Sequence, residues 1–125
     1  MNQKEFLTNL CKKNKEAVII GSIGTISYDL KEIDHPNKIL IKGAMGAAMA
    51  CGLGYALSSP KQVIVVIGDG SYLMCMGHIS TILKHNLKNL QIIVVDNGSY
   101  KSCGGQTTNF ESIRNSVPFA ILEEK

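Results

Sequence analysis

The apolar residues of this chain fall into short runs separated by stretches with helical spacing. Residues 63–67 and 92–95 consist only of valine and isoleucine, and an aspartate comes within two residues of the end of each run. Unbroken β-branched runs of this length are typical of strands that are buried on both faces, as in parallel sheets.

The whole pattern predicts five strands that alternate with helices. Strands are expected at residues 17–20, 39–41, 62–67, 90–95 and 117–122, and helices at 3–14, 26–33, 46–57 and 71–85. The remaining segments are a turn at 21–24, a glycine-rich loop at 97–108 and a helical turn near 109–115. This alternation predicts an α/β fold with an open parallel sheet and helices on both faces, formed by residues 1–125 as a single domain.

Composition argues against several kinds of partner. The net charge of +3 is small, and the one basic run, Lys12, Lys13 and Lys15, fits a solvated helix face, so no nucleic acid is expected. The four cysteines form no C-x-x-C pair, which favours reduced thiols in a cytoplasmic protein over a zinc site. No signal peptide is expected. The longest nearly uncharged stretch, residues 43–59, falls short of the roughly 20 apolar residues that span a bilayer, so no membrane segment is expected either.

Two polar side chains stand at the predicted ends of two strands. Asp69 lies between Gly68 and Gly70 directly after one apolar run, and Asn97 follows another run 28 residues later. Ligands of open parallel sheets bind outside the carboxyl ends of the strands. Hard oxygen ligands suit Mg²⁺, and the free amides expected at Gly70 and Ser71, where a helix begins, favour phosphate. The pattern therefore predicts a site for a metal-bound diphosphate.

The same residues also allow other interpretations. Residues 68–70 lack the third glycine of the dinucleotide-binding fingerprint and no G-K-[ST] occurs, so neither a Rossmann nor a P-loop nucleotide site is indicated. Asp69 is a suitable helix cap, and residues 96–98 are a suitable type I′ hairpin turn. Their joint position at matched strand ends favours the functional interpretation.

The motif G-D-G at residues 68–70, followed after 26 residues by Asn97, is similar to the cofactor motif of thiamine diphosphate-dependent 2-oxo-acid decarboxylases. The segments G-A-M-G, G-D-G-S, L-M-C-M-G and D-N-G-S-Y-K-S-C-G-G-Q-T begin at residues 43, 68, 73 and 96. They resemble the cofactor-binding half of phosphonopyruvate decarboxylase and of the sulfopyruvate decarboxylase β subunit, from about residue 17 to 113. The resemblance implies the thiamine diphosphate-binding fold, with thiamine diphosphate and Mg²⁺ as cofactors.

The resemblance also implies roles for individual residues. It implies three Mg²⁺ ligands, Asp69, Asn97 and the main-chain carbonyl of Ser99. The implied cofactor-binding set is Gly21, Ser22, Gly43, Met45, Gly68, Asp69, Gly70, Ser71, Asn97, Ser99 and Tyr100. In this set residues 70–71 hold the diphosphate, the turn at 21–22 adds a second phosphate contact, and Met45 supports the bent cofactor.

The resembling enzymes release CO₂ and an aldehyde from a 2-oxo acid, and they activate the cofactor with a glutamate from a second, pyrimidine-binding domain. The six glutamates of this chain, Glu5, Glu16, Glu32, Glu111, Glu123 and Glu124, stand in polar or terminal contexts. We therefore expect no catalytic residue here. The resemblance implies a β-type subunit of a split decarboxylase, which needs an α-type pyrimidine-binding partner and forms a homodimer within a hetero-oligomer.

Other functions remain open from sequence. Relatives continue for several elements beyond the G-G-Q loop, so a C-terminally shortened version of the fold is expected. A shortened, non-catalytic paralogue that binds cofactor or partner is one alternative, and a general Mg²⁺-dependent binder of phosphate esters is another. The intact Asp69 and Asn97 favour an enzyme. Phosphonopyruvate is weakly favoured over sulfopyruvate as the substrate, on residues 104–106 and the M-x-M-G segment.

Overall fold

A computed structural model of the chain describes residues 2–124. The helices are α1 (Gln3–Lys13), α2 (Thr25–Glu32), α3 (Ala47–Ser58), α4 (Asp69–Met74) and α5 (His78–His85). The strands are β1 (Val18–Gly21), β2 (Lys38–Leu40), β3 (Val63–Gly68), β4 (Leu90–Asp96) and β5 (Ala120–Glu123). Three short 3₁₀ turns lie at Lys101–Cys103, Phe110–Ser112 and Arg114–Ser116. No helix within residues 2–124 is long and apolar enough to cross a bilayer.

The five strands form one sheet in the order β2-β1-β3-β4-β5, and every neighbouring pair is parallel. Val65 in the central strand β3 lies opposite Ile20 in β1 and Ile92 in β4. The predicted α/β fold with an open parallel sheet is therefore confirmed.

Successive strand residues point to opposite faces of the sheet, and each face carries its own core. Val63 and Val65 pack with buried residues of α3, α4 and α5 on one face. Ile64 and Val66 pack with buried residues of α1 and α2 on the other. Because helices cover both faces, both sets of side chains must be apolar, which explains the unbroken valine and isoleucine runs.

The single helix predicted at 71–85 is wrong in one respect, because the structure divides it into α4 and α5. Cys75 ends α4 with φ −127° and ψ 31°, and its thiol donates a long hydrogen bond of 3.8 Å to the Met45 carbonyl. Gly77 precedes α5, and glycine in a helix interior costs about 1 kcal/mol relative to alanine. A tertiary contact at Cys75 and a weak helix former at Gly77 together end the helix.

The last strand also differs from the prediction, since β5 begins at Ala120 rather than at residue 117. Pro118 has no N–H with which to join the hydrogen-bond ladder, so the pairing with β4 starts only after it.

The small-residue helix α3 lies close against the sheet on one side and is open on the other. A Cβ added at Gly52 would lie 2.2 Å from Val65 Cγ2, so only glycine permits this approach. Ala50, Gly54 and Leu57 are exposed on the opposite side, with Leu57 at 49%.

Candidate functional site

A cavity opens at the carboxyl end of the sheet, where the strand order reverses between β1 and β3. Its wall is formed by residues that follow β1, β3 and β4, together with Gln3 from α1 and Met45 from the β2–α3 connection. The cavity volume of about 40 Å³ exceeds the roughly 10–15 Å³ that holds one water molecule. Such switch points are where open α/β sheets bind their ligands.

Asp69 is the buried charge of this cavity. Its side chain is 1% exposed, and its Oδ2 accepts a 2.5 Å hydrogen bond from the Thr108 hydroxyl. Its Oδ1 is buried without any hydrogen-bond partner among residues 2–124. The helix cap is Gly68 and no side-chain capping bond is present, so Asp69 does not serve as a helix cap. An unpartnered carboxylate oxygen in a buried site is costly unless a cation or another donor meets it.

Asn97 and Ser99 follow β4 and line the same cavity. The Asn97 Oδ1 accepts a 2.9 Å hydrogen bond from the Ser99 amide, which closes a local turn and fixes the amide oxygen. Gly98 has φ +75°, whereas Asn97 is not in the left-handed region, so this segment is not a type I′ hairpin turn. The backbone hydrogen bonds that hold this loop are accepted by the carbonyls of Gly98, Tyr100 and Gln106. They do not use the Ser99 carbonyl, the oxygen predicted to ligate the metal.

Negative charge accumulates beside this cavity. Burial and the neighbouring Asp69 carboxylate raise the pKa of Asp96 above its ordinary value, although the Gly98 amide and Arg114 act in the opposite direction. The Arg114 Nη1 lies 3.6 Å from the Asp96 Oδ2. A bound cation at Asp69 would relieve the like-charge repulsion that the two carboxylates impose on each other.

Gly70 and Tyr100 form the part of the wall beside Asp69. A Cβ added at Gly70 would lie 2.7 Å from two ring carbons of Tyr100, so the ring rests directly on the glycine backbone. Gly24, with φ +97°, similarly approaches Ser102, where an added Cβ would lie 2.6 Å from Oγ. These contacts bring the turn after β1 and the loop after β4 together around the start of α4.

The predicted turn at Gly21 and Ser22 lies behind the cavity wall. Ser22 is 1% exposed, and its Oγ accepts a 3.3 Å hydrogen bond from the Gly68 amide. The backbone of Gly21 is close to Leu30, whose Cδ1 would be 2.5 Å from an added Cβ. The next residue, Ile23, lines the cavity itself. The structure therefore gives Ser22 a supporting contact to the end of β3.

Met45 lines the cavity, whereas Gly43 is exposed outside it. The backbone here is unusual, because Ala44 has φ +53° and Gly46 has φ +91°. A Cβ at Gly46 would lie 2.1 Å from the Cys75 Sγ, so the turn is packed tightly against the end of α4. Non-glycine residues with positive φ persist where the surroundings hold them, often at functional sites.

Of the eleven predicted cofactor-binding residues, eight line the cavity: Met45, Gly68, Asp69, Gly70, Ser71, Asn97, Ser99 and Tyr100. Two residues that the sequence does not indicate also belong to this region: Thr108, whose hydroxyl donates to Asp69, and Gln3, which lines the cavity and is 4% exposed. The Gln3 Nε2 donates to the Asp29 Oδ2 at 2.7 Å and to the Thr25 Oγ1 at 3.3 Å. Neither residue belongs to a recognisable spacing, since their contacts join positions far apart in the chain.

The glutamates do not line this cavity, although the Glu124 carboxylate accepts a 3.3 Å hydrogen bond from Lys101, which does. Five of the six are exposed and Glu124 is half-buried, and none lines the cavity that contains Asp69. Among the residues that line this cavity, Asp69 is the one with an acidic side chain.

The donor set fits a hard divalent cation. Asp69 offers a free buried carboxylate oxygen, and the Asn97 side chain and the Ser99 main chain offer further oxygens within the same wall. Carboxylate, amide and carbonyl oxygens are the ligands that Mg²⁺ takes, and it retains positions for water and phosphate.

The chain is similar in sequence to two known decarboxylases. Phosphonopyruvate decarboxylase of Streptomyces viridochromogenes is 40% identical over 100 residues, which cover 79% of this chain and 25% of that protein. The sulfopyruvate decarboxylase subunit beta of Methanocaldococcus jannaschii is 38% identical over 107 residues, covering 85% of this chain and 55% of the subunit. The chain thus spans a quarter to about half the length of these two relatives.

A solved structure shares the fold. It is the 2-oxoglutarate:ferredoxin oxidoreductase from Magnetococcus marinus, with a TM-score of 0.65 and 23% sequence identity. The likeness covers 83% of this chain and 36% of that one. Residues 20–123 match the family described as thiamine pyrophosphate enzyme, C-terminal TPP binding domain. The chain therefore belongs to the thiamine pyrophosphate enzyme family, as a C-terminal TPP binding domain.

Proposed function

We propose that this chain is the cofactor-binding, β-type subunit of a split 2-oxo-acid decarboxylase that uses thiamine diphosphate and Mg²⁺. The observation that carries the proposal is the buried Asp69 carboxylate with one unpartnered oxygen, in a cavity at the switch point of the sheet. Membership of the thiamine pyrophosphate enzyme family and the two decarboxylases among the relatives support it.

In this proposal Asp69, Asn97 and the Ser99 carbonyl hold Mg²⁺. The Asn97 amide oxygen keeps a lone pair besides the one that accepts the Ser99 amide, so it can still ligate a metal. Ordered backbone around both ligands lowers the cost of assembling the site when the ion arrives.

The same proposal places the diphosphate end of thiamine diphosphate against the rest of the cavity wall, with the remainder of the cofactor outside the cavity. When bound, this cofactor accepts the electrons that remain as CO₂ leaves a 2-oxo acid, and the protein supplies orientation. Gly70 and Ser71 offer backbone amides to the diphosphate, with Gly21 and Ser22 behind them, and Tyr100 closes the wall. Met45 supports the cofactor rings, with the backbone of the exposed Gly43 beside it, because an unbranched thioether adapts to an irregular space.

The activating carboxylate would come from a partner chain. The glutamates of this chain are exposed or half-buried outside the cavity, and proton transfer requires a positioned group. The relative from Methanocaldococcus jannaschii is named as a subunit beta, which supports an α-type, pyrimidine-binding partner here.

The exposed side of α3 is a suitable surface for such an assembly. Ala50, Gly54 and Leu57 present small and apolar groups to the surroundings on one stripe of the helix. We propose a hetero-oligomer in the cytoplasm with two copies of this chain and two partner chains. The free cysteines at 11, 51, 75 and 103 agree with a reducing compartment.

The substrate is proposed to be phosphonopyruvate, giving phosphonoacetaldehyde and CO₂, with sulfopyruvate and sulfoacetaldehyde as the second choice. Both relatives are decarboxylases of 2-oxo acids that carry a tetrahedral anion, and the phosphonopyruvate decarboxylase is marginally more identical to this chain.

Reconstitution tests the proposal. The chain and a pyrimidine-binding partner subunit are assayed for CO₂ release from phosphonopyruvate, sulfopyruvate and pyruvate, together and separately, with Mg²⁺ and thiamine diphosphate. We expect turnover only from the mixture, with phosphonopyruvate preferred. Turnover by the pure chain alone would contradict the split enzyme. Cofactor binding by a mixture that releases no CO₂ from any of the three acids would instead favour a non-catalytic paralogue.

A further inference from the structure

Thr108 donates a hydrogen bond to the Asp69 carboxylate, which also has the Asp96 carboxyl group as a neighbour. Its side chain is 7% exposed and its hydroxyl donates to the Asp69 Oδ2 at 2.5 Å. The opposite oxygen, Oδ1, is the one left without a partner. The Thr108 hydroxyl thus occupies Oδ2, and Oδ1 is the oxygen open to another partner.

The direction of the hydroxyl proton follows from a second contact. The Phe110 amide donates to the Thr108 Oγ1 at 3.4 Å, so the oxygen already accepts one hydrogen bond. A threonine hydroxyl has a single proton, and an ionised carboxylate can only accept. The proton consequently points at Asp69, and the pair is a charge-assisted hydrogen bond, which is shorter and stronger than a neutral one.

The main chain of Thr108 reaches the other proposed ligands. Its amide donates to the Gly98 carbonyl at 3.1 Å, and Gly98 lies between Asn97 and Ser99. A single residue thus ties the end of β3, through a side chain, to the loop after β4, through the backbone. The exposed neighbour Thr107 also pairs with this loop through its backbone, opposite Ser99, but its side chain has a different partner: its hydroxyl accepts from the Asn109 amide at 3.1 Å.

We propose that Thr108 is the positioning residue of the metal site: its hydroxyl holds the Asp69 carboxylate so that Oδ1 faces the cation. The inference rests on the proposed Mg²⁺ and thiamine diphosphate binding. Groups that orient metal ligands typically contribute about 10–100-fold to metal affinity. The effect of losing the Thr108 hydroxyl should therefore appear in the concentration of Mg²⁺ that the site requires.

The test measures thiamine diphosphate binding by calorimetry at a series of Mg²⁺ concentrations. Thr108→Val keeps the side-chain volume but removes the hydroxyl, Thr108→Ser keeps the hydroxyl, and Thr107→Val is the matched control. We expect Thr108→Val to need about 10–100-fold more Mg²⁺ for half-maximal binding. At saturating Mg²⁺ its cofactor affinity should return to within about threefold of wild type, a change of roughly 0.7 kcal/mol. Thr108→Ser and Thr107→Val should both resemble wild type throughout.

Each outcome decides between the claims. If the wild-type chain shows no Mg²⁺-dependent cofactor binding, the proposed function fails and the positioning role fails with it. If wild type binds but Thr108→Val needs no more Mg²⁺, or has a weak cofactor affinity that Mg²⁺ does not restore, the positioning role alone is overturned. Circular dichroism and melting temperature report whether each variant folds. If Thr108→Val does not fold, Thr108→Ala replaces it. If Thr108→Ser does not retain the Mg²⁺ dependence of wild type, the inference is overturned.

Discussion

Replacing Gly52 by alanine tests how closely α3 packs on the sheet behind the site. The added Cβ would lie 2.2 Å from Val65 Cγ2, and Val65 is fully buried in the central strand. A β-branched side chain has few alternative rotamers, so it cannot turn away easily. We expect an overpacking cost of about 1–3 kcal/mol, against a helix-propensity gain of about 1 kcal/mol. The free energy of unfolding should therefore fall by up to about 2 kcal/mol.

Gly54→Ala is the matched control in the same helix. Gly54 is exposed and no heavy atom lies within 4 Å of an added Cβ, so only the propensity gain remains. This variant should be more stable by up to about 1 kcal/mol, and the two variants should differ by about 1–3 kcal/mol. Urea unfolding followed by circular dichroism at 25 °C measures both values. Equal stabilisation by the two substitutions would refute the close approach of α3 to β3.

Three further predictions concern the site and the thiols. Gly70→Ala should weaken Mg²⁺-dependent thiamine diphosphate binding at least about tenfold, or 1.4 kcal/mol, because its Cβ, 2.7 Å from the Tyr100 ring, would displace the ring from the cavity wall. An unchanged affinity in calorimetry would count against the close packing of Tyr100 on Gly70. At pH 8, thiol-reactive reagents should label the exposed Cys103 before Cys11, since Cys11 is 2% exposed and burial raises its pKa; mass spectrometry showing equal rates in the folded chain would disprove this. Because its pKa is raised, the folded state favours the neutral Cys11 thiol, and this preference stabilises the fold at neutral pH. The stabilisation should be lost as pH rises above the ordinary pKa of a thiol. Cys11→Ala should therefore lose less of its free energy of unfolding at alkaline pH than wild type does, as measured by urea unfolding.

The sheet could be predicted from sequence because its signal is local and strong. The valine and isoleucine side chains of β3 and β4 are all removed from water only if both faces of the sheet are covered. Asp69 and Asn97 could be singled out for the same reason, since each stands two residues after such a run and parallel strands end at a common edge. Both residues line the same cavity, and their role in binding stays a prediction.

The features that were missed depend on contacts between distant parts of the chain. The break between α4 and α5 arises where Cys75 meets the Met45 turn, 30 residues earlier in sequence. Thr108 reaches Asp69 across 39 residues, and no periodicity announces such a hydrogen bond. Gln3 looks like an ordinary polar helix residue until α1 is packed beside α2.

Asp69 is proposed to bind the metal that holds thiamine diphosphate. Calorimetric titration of the cofactor into the chain, with Mg²⁺ and with EDTA, tests it directly when wild type is compared with Asp69→Ala. The exposed Asp34→Ala is the matched control for loss of one negative charge. We expect wild type and Asp34→Ala to bind thiamine diphosphate equally, and only when Mg²⁺ is present. Asp69→Ala should lose at least about tenfold in affinity for the cofactor, or 1.4 kcal/mol, while circular dichroism shows that it remains folded. Undiminished Mg²⁺-dependent binding by a folded Asp69→Ala chain would contradict the account.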